Sequence, residues 1–368
     1  MSRPVFITPS MSILLDAVRA IAALLVLGGH MVQMELYTGP YPFGPTMQHN
    51  AVIVFFVLSG LVIAHSVSSR SYTLKDYAIA RASRIVPVAF FAIGFGTLIF
   101  AALSARGLAP AIVTWPYDEL SLSSVLLPAV FLSESGDGVG PVWNPPYWSL
   151  TYEVWFYILF AAGFFLRGPS RWFWLAALCW VAGLRVLLMF PIWLLGAALV
   201  RYGTRWEPKG LRAVQFGLFG FILCAVSNVL GSSGRKVAEA LQNQLDYAVK
   251  FSEYFLTDYL FGIGIAMLFI AARPFAEWAG EGLKKAERPV QWFAGFSFSL
   301  YILHWPMLSA MSVLGIEAGG NPLAFLALVG GIIGACALVA QFTEYRSKDV
   351  RRWLTARLSP QPRQASAT

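Results

Sequence analysis

Three polar side chains whose types suit chemistry share one face of an otherwise apolar stretch that ends at His30. Arg19 and His30 are eleven residues apart, close to three turns of an α-helix, and Asp16 precedes Arg19 by three residues. The spacing predicts a helix that carries an acid, a guanidinium and an imidazole along one side, with about 16 Å between Arg19 and His30. An imidazole can accept and release a proton near neutral pH, so His30 is a candidate general base.

These three groups admit a structural and a functional interpretation. In the structural one, Asp16 and Arg19 form an ion pair at the membrane interface, and His30 is an interfacial histidine. In the functional one, all three line a reaction site. Each charge placed at depth in a membrane costs a few kcal/mol, and ionisable residues there usually serve a function. We therefore predict catalytic roles for Arg19 and His30 and a substrate-binding role for Asp16.

The composition is that of a polytopic membrane protein. Of 368 residues, 57% are hydrophobic and 12% are charged, and the mean hydropathy is +0.63. This predicts an all-α fold of about ten transmembrane helices, with residues 1–358 as one transmembrane domain and residues 359–368 as a disordered cytoplasmic tail. The net charge is +8, but the basic residues do not form a Lys/Arg-rich domain, so we expect no nucleic-acid partner. The three cysteines lie in apolar runs, and no metal site is predicted.

The distribution of Lys and Arg among the loops predicts the orientation. With ten spans, 21 basic residues fall on the cytoplasmic side and five on the outer side, so both termini are expected in the cytoplasm. Residues 171–201 are too few for two ordinary crossings, and the charge count favours a short hairpin of 172–184 and 189–200. On the outer side we expect an interfacial or re-entrant helix at 120–132 and a loop of mixed charge at 231–258.

A pair of arginines lies at the predicted cytoplasmic start of the third span. Arg81 and Arg84 are three residues apart and share a helical face. Two guanidinium groups suit phosphate oxygens, such as those of a nucleotide that arrives from the cytoplasm. The alternative is an ordinary basic anchor that binds lipid headgroups. The pair alone does not decide between the two.

The predicted fourth span carries a carboxylate. Ser149 and Glu153 are four residues apart and share a face, which puts Glu153 about one turn below the outer surface. That is near the expected depth of His30, and a carboxylate beside an imidazole fixes its tautomer and raises its basicity. The alternative is a structural hydrogen bond between two helices. We predict that Glu153 is catalytic and assists His30.

The predicted ninth span offers further polar side chains. Tyr301 and His304 share one face. A lone histidine beside a proline is more often structural than catalytic, so His304 is a secondary candidate. We assign Ser149, Tyr301 and His304 to substrate binding. The remaining histidines, His49 and His65, have no comparable neighbours in the sequence.

These residues carry a resemblance to the membrane acyltransferase-3 family, whose members acylate sugars. The matching motifs are spread over nearly the whole chain in family order, and together they are specific. They are residues 15–23 with His30, residues 55–60, the Arg81/Arg84 pair, residues 148–150 with Glu153 and Tyr157, and residues 299–306.

The resemblance implies a fold and an activity. It implies about ten helices in the bacterial cytoplasmic (inner) membrane, an acyl-CoA donor, and transfer to a hydroxyl of a glycan or lipid-linked saccharide. Acetyl is the commonest acyl group in the family. Acyl-CoA is a co-substrate, and no bound cofactor is implied. By this likeness the family's functional positions are taken by Arg19, His30, Arg81, Arg84 and Glu153.

Two functions are compatible with these features. The first is a membrane O-acyltransferase in which acyl-CoA places its phosphates on Arg81 and Arg84, while His30, assisted by Glu153, deprotonates an acceptor hydroxyl. The second is a proton-coupled transporter or flippase of a glycan or lipid intermediate, in which the buried charges form a path. Membrane lipids are expected partners in both. Formation of a labelled ester distinguishes the enzyme from the transporter.

Overall fold

A computed structural model of the protein describes residues 5–69, 72–108, 119–136, 138–245 and 247–358. The described chain folds into α-helices joined by turns and longer irregular segments, which confirms the all-α prediction. In chain order the helices are α1 (Pro9–Gln33), α2 (Met47–Ser68), α3 (Leu74–Ser104), α4 (Ser123–Ala129), α5 (Tyr147–Phe165), α6 (Gly168–Tyr202), α7 (Leu211–Leu245), α8 (Phe255–Trp278), α9 (Gly280–Ala294), α10 (Ser297–Val313), α11 (Pro322–Phe342) and α12 (Ser347–Leu358).

Seven stretches among the described residues are long and apolar enough to cross a membrane: α1, α2, α3, α6, α7, α8 and the run that starts with α11. Helices α5 and α10 are mostly buried among them. The count of about ten crossings, the cytoplasmic termini and the single domain over 1–358 stay predictions. The tail expected at 359–368 lies outside the described residues.

Local sequence signals account for the starts of two helices that carry candidate residues. The Thr8 hydroxyl accepts a hydrogen bond from the Met11 amide at 3.2 Å, and Pro9 occupies the first turn of α1, where its missing N–H leaves no intrahelical bond unmade. At the start of α3, Thr73 and Asp76 form a reciprocal capping box. These caps fix the positions at which both helices begin, and hence the faces that carry their arginines.

The predicted hairpin over 172–200 lies within α6, which turns sharply at Gly183. This residue has φ 80° and ψ 165°, a conformation that favours glycine. The first arm brings Trp174 to a groove beside Leu74, near the start of α3. The second arm ends at Gly203, where a Cβ would lie 2.6 Å from the Phe6 ring, just before α1. Both arms therefore point to the face at which α1 and α3 begin, and the chain doubles back at Gly183.

Two glycines bring the second arm of α6 into backbone contact with α2. A Cβ on Gly60 would lie 2.0 Å from the Trp193 carbonyl oxygen, and one on Gly196 would lie 1.8 Å from the Val57 carbonyl oxygen. Small residues allow helices in a membrane to approach this closely. The contact holds α2 in place, and α2 contributes side chains to both cavities described below.

We expect Gly60→Ala and Gly196→Ala each to lower the free energy of unfolding by about 1–3 kcal/mol, because the two backbones must separate to admit a methyl group. The measurement is the midpoint of thermal unfolding in detergent. Gly163→Ala in α5 is the matched control, since a Cβ there meets nothing within 4 Å. The control should match or exceed the wild-type midpoint, because alanine favours a helix. Equal midpoints for all three variants would contradict the backbone contact.

Two expectations for the segments between spans have different outcomes. The segment 120–132 contains a helix, α4 (Ser123–Ala129), and its position at the membrane interface stays a prediction. The loop expected at 231–258 is wrong in its first half, because α7 continues to Leu245 and only then gives way to a short turn at Lys250–Ser252. Arg235 and Glu239 form an ion pair of 3.0 Å four residues apart in this extension, a spacing that favours a helix.

The predicted orientation can be tested with reporter fusions placed after Thr204 and after Thr368. We expect both reporters to give a cytoplasmic signal, because the basic residues concentrate on that side. The measurement is the activity of alkaline phosphatase and green fluorescent protein fusions at each site. An extracytoplasmic signal at Thr204 would contradict the assignment of both arms of α6 as crossings.

Candidate active site

Two cavities approach each other in the bundle, and the empty volume of each includes its open mouth. The arginine cavity has about 850 Å³ of empty space, and its polar lining residues are Arg19, Ser59, Arg81, Arg84, Ser149, Glu153, Tyr157, Ser297 and Tyr301. The histidine cavity has about 1210 Å³, and its lining includes His30, Gln33, Gln48, His49, Asn50, Trp148, Asn228, Arg235, Glu253, Tyr254, Asp258, Tyr301 and Trp305. Val52 and Tyr301 line both cavities. The predicted face of α1 therefore exists, with Arg19 at one cavity and His30 at the other.

The imidazole of His30 is paired with that of His304. Nδ1 of His30 lies 2.8 Å from Nε2 of His304, and Nδ1 of His304 lies 3.1 Å from the Leu300 carbonyl oxygen. His304 is 1% exposed, and His30 is half-buried beside the Trp305 ring. The described structure thus gives His304, a secondary candidate in the sequence, direct contact with His30.

The carbonyl of Leu300 fixes the tautomers of both rings. A carbonyl oxygen only accepts, so Nδ1 of His304 carries a proton, and in the neutral ring its Nε2 is an acceptor. Nδ1 of His30 then donates to it, which leaves Nε2 of a neutral His30 without a proton. Because His30 lines the histidine cavity, this nitrogen is suited to take a proton from a hydroxyl there.

The predicted contact between Glu153 and His30 is wrong. The Glu153 carboxylate instead accepts hydrogen bonds from Ser59 Oγ at 2.6 Å and from the Tyr157 hydroxyl, and it lines the arginine cavity. The spacing of residues along each helix does not set the relative depth or rotation of two different helices. A catalytic role for Glu153 stays a prediction.

The arginine cavity is suited to an anion. Its wall contains three guanidinium groups and one carboxylate, that of Glu153. Arg19 contacts Asp16 at 3.1 Å, and Arg81 lies over the Tyr157 ring at 5.9 Å. Nε of Arg81 is buried and has no hydrogen-bond partner among the described residues. The cavity therefore has donor capacity that a phosphate group could use.

An adjoining cavity continues from the arginine cavity towards the start of α12. Arg19 and Arg84 line both spaces, and the second is also lined by Asp16, Tyr345 and Lys348, at the face where α1 begins. Charged side chains therefore extend from that face to the wall of the arginine cavity. The predicted substrate-binding residue Asp16 lies in it.

Tyr301 lies between the two cavities, and Ser149 lines the arginine cavity beside it. Their hydroxyl oxygens are 2.7 Å apart, and the Phe55 ring packs edge-on against Tyr301 at 5.7 Å between centroids. Both residues were predicted to bind substrate, and the structure brings them together. Tyr301, together with Val52, therefore belongs to the wall that the two cavities share.

Sequence reasoning missed one pair in the histidine cavity. Nε2 of His49 lies 2.9 and 3.1 Å from the two carboxylate oxygens of Asp258. The partners are 209 residues apart, on the first turns of α2 and α8, so neither has a charged neighbour in the sequence to indicate the pair. The sequence feature that could have indicated the pair is that His49 and Asp258 each lie at the start of an apolar helix.

The comparison with known families agrees with this arrangement of apolar helices around buried polar groups. The sequence profile described as "Acyltransferase domain" matches residues 13–341. The chain therefore belongs to the membrane acyltransferase-3 family, and it is an integral membrane protein. This confirms the resemblance found in the sequence.

One curated relative is the exopolysaccharide production protein ExoZ of Rhizobium meliloti (strain 1021). It is 33% identical to this chain over 123 residues, which are 33% of this chain and 35% of ExoZ. The match thus spans about a third of the length of this relative. None of the solved structures matches the chain.

Proposed function

We propose that the protein is an O-acyltransferase that moves an acyl group from cytoplasmic acyl-CoA to a hydroxyl of a glycan or lipid-linked saccharide. The acyl group that we propose is acetyl. The observation that carries the proposal is the His30–His304 pair, which lines one cavity while a cavity rich in arginine adjoins it across Tyr301. The family membership and the name of ExoZ, an exopolysaccharide production protein, support the same reaction class.

The donor is proposed to enter through the arginine cavity. Its phosphates would bind Arg81 and Arg84, beside Arg19, and its thioester would extend towards Tyr301. Guanidinium groups form strong, geometrically defined hydrogen bonds to phosphate oxygens. The apolar part of the cavity wall, which includes Phe55 and Phe56, suits the uncharged end of the donor.

The acceptor is proposed to bind in the histidine cavity. Nε2 of His30 takes the hydroxyl proton as the oxygen attacks the thioester carbon. The carbon–sulfur bond then breaks, and His30 returns the proton to the sulfur, so that the products are an ester and CoA. His304 accepts a hydrogen bond from Nδ1 of His30 throughout, and this bond strengthens when His30 is positively charged.

The test is incubation of the purified protein with radiolabelled acetyl-CoA and a panel of glycans, which includes methyl glycosides of common hexoses and bacterial exopolysaccharide fragments. We expect a labelled ester that alkali releases as acetate. Competition by longer acyl-CoA species would report on the acyl group. Uptake of a saccharide into proteoliposomes without ester formation would overturn the proposal and support the transporter.

A further inference from the structure

The His49–Asp258 pair forms part of the wall of the histidine cavity, where the acceptor is proposed to bind. An ionised carboxylate only accepts, so Nε2 of His49 carries a proton and donates to Asp258. This contact fixes the ring, which also lies 5.4 Å from the Tyr254 ring between centroids. Nδ1 of His49 has no hydrogen-bond partner among the residues that the structure describes, so it is available to a ligand. A hydroxyl suits it in either charge state, because a hydroxyl both donates and accepts.

The exposure of the two side chains differs in a way that favours a binding role. The Asp258 side chain is 3% exposed and that of His49 is 22% exposed, so the imidazole is the more accessible member of the pair in the cavity wall. A buried ion pair is not needed for the stability of a protein, because the same protein with apolar side chains in place of the pair is often equally stable. Asn228 already connects this end of α2 to α7, through hydrogen bonds from Thr46 and Asn50.

A second part of the same cavity also offers unused hydrogen-bonding capacity. Nε2 of Gln48 donates to Oε1 of Gln33 at 3.1 Å. Oε1 of Gln48 is buried without a hydrogen-bond partner among the described residues, and a Cβ on Gly29, the neighbour of His30, would lie 2.7 Å from it. Gln33 and Gln48 both line the cavity, so it holds further polar side chains besides His30 and His49.

We propose that His49, held by Asp258, is a positioning residue that binds a second hydroxyl of the acceptor sugar and so aligns the reacting hydroxyl with His30. The inference rests on the proposed function. It specifies that the acceptor presents at least two hydroxyls to the cavity. An acceptor with a single hydroxyl, or water, gains nothing from His49.

The test compares purified His49→Ala, His49→Gln and Asp258→Asn with the wild type. His65→Ala is the matched control, since His65 is a histidine at the opposite end of the same helix. Each protein is assayed with acetyl-CoA and the methyl hexoside that the wild type acetylates fastest. Each is also assayed with ethanol as a mono-hydroxyl acceptor and for hydrolysis of acetyl-CoA without acceptor.

For His49→Ala we expect the KM for the hexoside to rise roughly 3- to 30-fold, the effect of losing one or two hydrogen bonds. The KM for acetyl-CoA and the rates with ethanol and water should equal those of the wild type. His49→Gln should recover part of the loss, because an amide can donate to Asp258 and accept from a hydroxyl. Asp258→Asn should fall between the wild type and His49→Ala.

An unchanged hexoside KM in folded His49→Ala would overturn the inference. So would an equal fall in all three rates, because that result indicates a purely structural pair. If the wild type forms no ester, the proposed function fails, and binding of the hexoside, measured by tryptophan fluorescence, then tests His49 alone. Equal hexoside affinities of wild type and His49→Ala, or no binding by either, would overturn the inference in that case.

Discussion

Replacing His30 by glutamine should reduce acyl transfer by about 10²- to 10⁴-fold, the usual contribution of a general base. Glutamine can still donate to Nε2 of His304 but cannot take a proton near neutral pH. The His30→Gln protein should therefore fold and remain as inactive as His30→Ala. The measurement is the initial rate of labelled ester formation, with the elution profile and thermal midpoint as evidence of folding.

A structural His30 predicts the opposite order, with His30→Gln largely active and His30→Ala poorly folded. The His304→Gln variant distinguishes the role of His304 from that of His30. It should retain more activity than His30→Gln, because the amide oxygen can accept from Nδ1 of His30 while the base itself is unchanged. His65→Ala again controls for loss of a histidine. More than about a tenth of wild-type activity in folded His30→Gln would exclude His30 as the base and favour His304.

The sequence correctly predicts features that depend on a single helix, such as which residues share a helix face. The spacing of Asp16, Arg19 and His30 requires only 3.6 residues per turn, and the structure has all three on α1. The same holds for Arg81 and Arg84 on α3, which both line the arginine cavity. Apolar composition likewise suffices to predict a helical membrane bundle.

Contacts between distant helices could not be predicted in this way. His30 pairs with His304 across 274 residues, and His49 pairs with Asp258 across 209. Periodicity gives the direction of a side chain from its own helix axis, but the depth and rotation of neighbouring helices depend on packing. Backbone contacts such as that at Gly60 set these quantities. Glu153 was therefore assigned to the wrong partner, although its place on a polar helix face was correct.

The second large effect is expected at the arginines. Arg81→Ala and Arg84→Ala should each raise the KM for acetyl-CoA by about 10- to 150-fold, because a lost hydrogen bond to a charged group costs about 1.5–3 kcal/mol. Lysine at either position should recover part of this, since it keeps the charge without the planar guanidinium. The measurement is the steady-state rate at varied acetyl-CoA concentration, with the acceptor held constant. The KM for the acceptor should change little.

The phosphate can be tested directly by changing the donor. S-acetylpantetheine has the same thioester and no phosphate, so its KM should be equal in wild type, Arg81→Ala and Arg84→Ala. An arginine that only anchors lipid headgroups predicts instead a parallel change for both donors. Arg171→Ala is the matched control, because Arg171 near the start of α6 donates to the Leu166 carbonyl and lines neither cavity. If both alanine variants keep the wild-type KM for acetyl-CoA, Arg81 and Arg84 do not bind the donor.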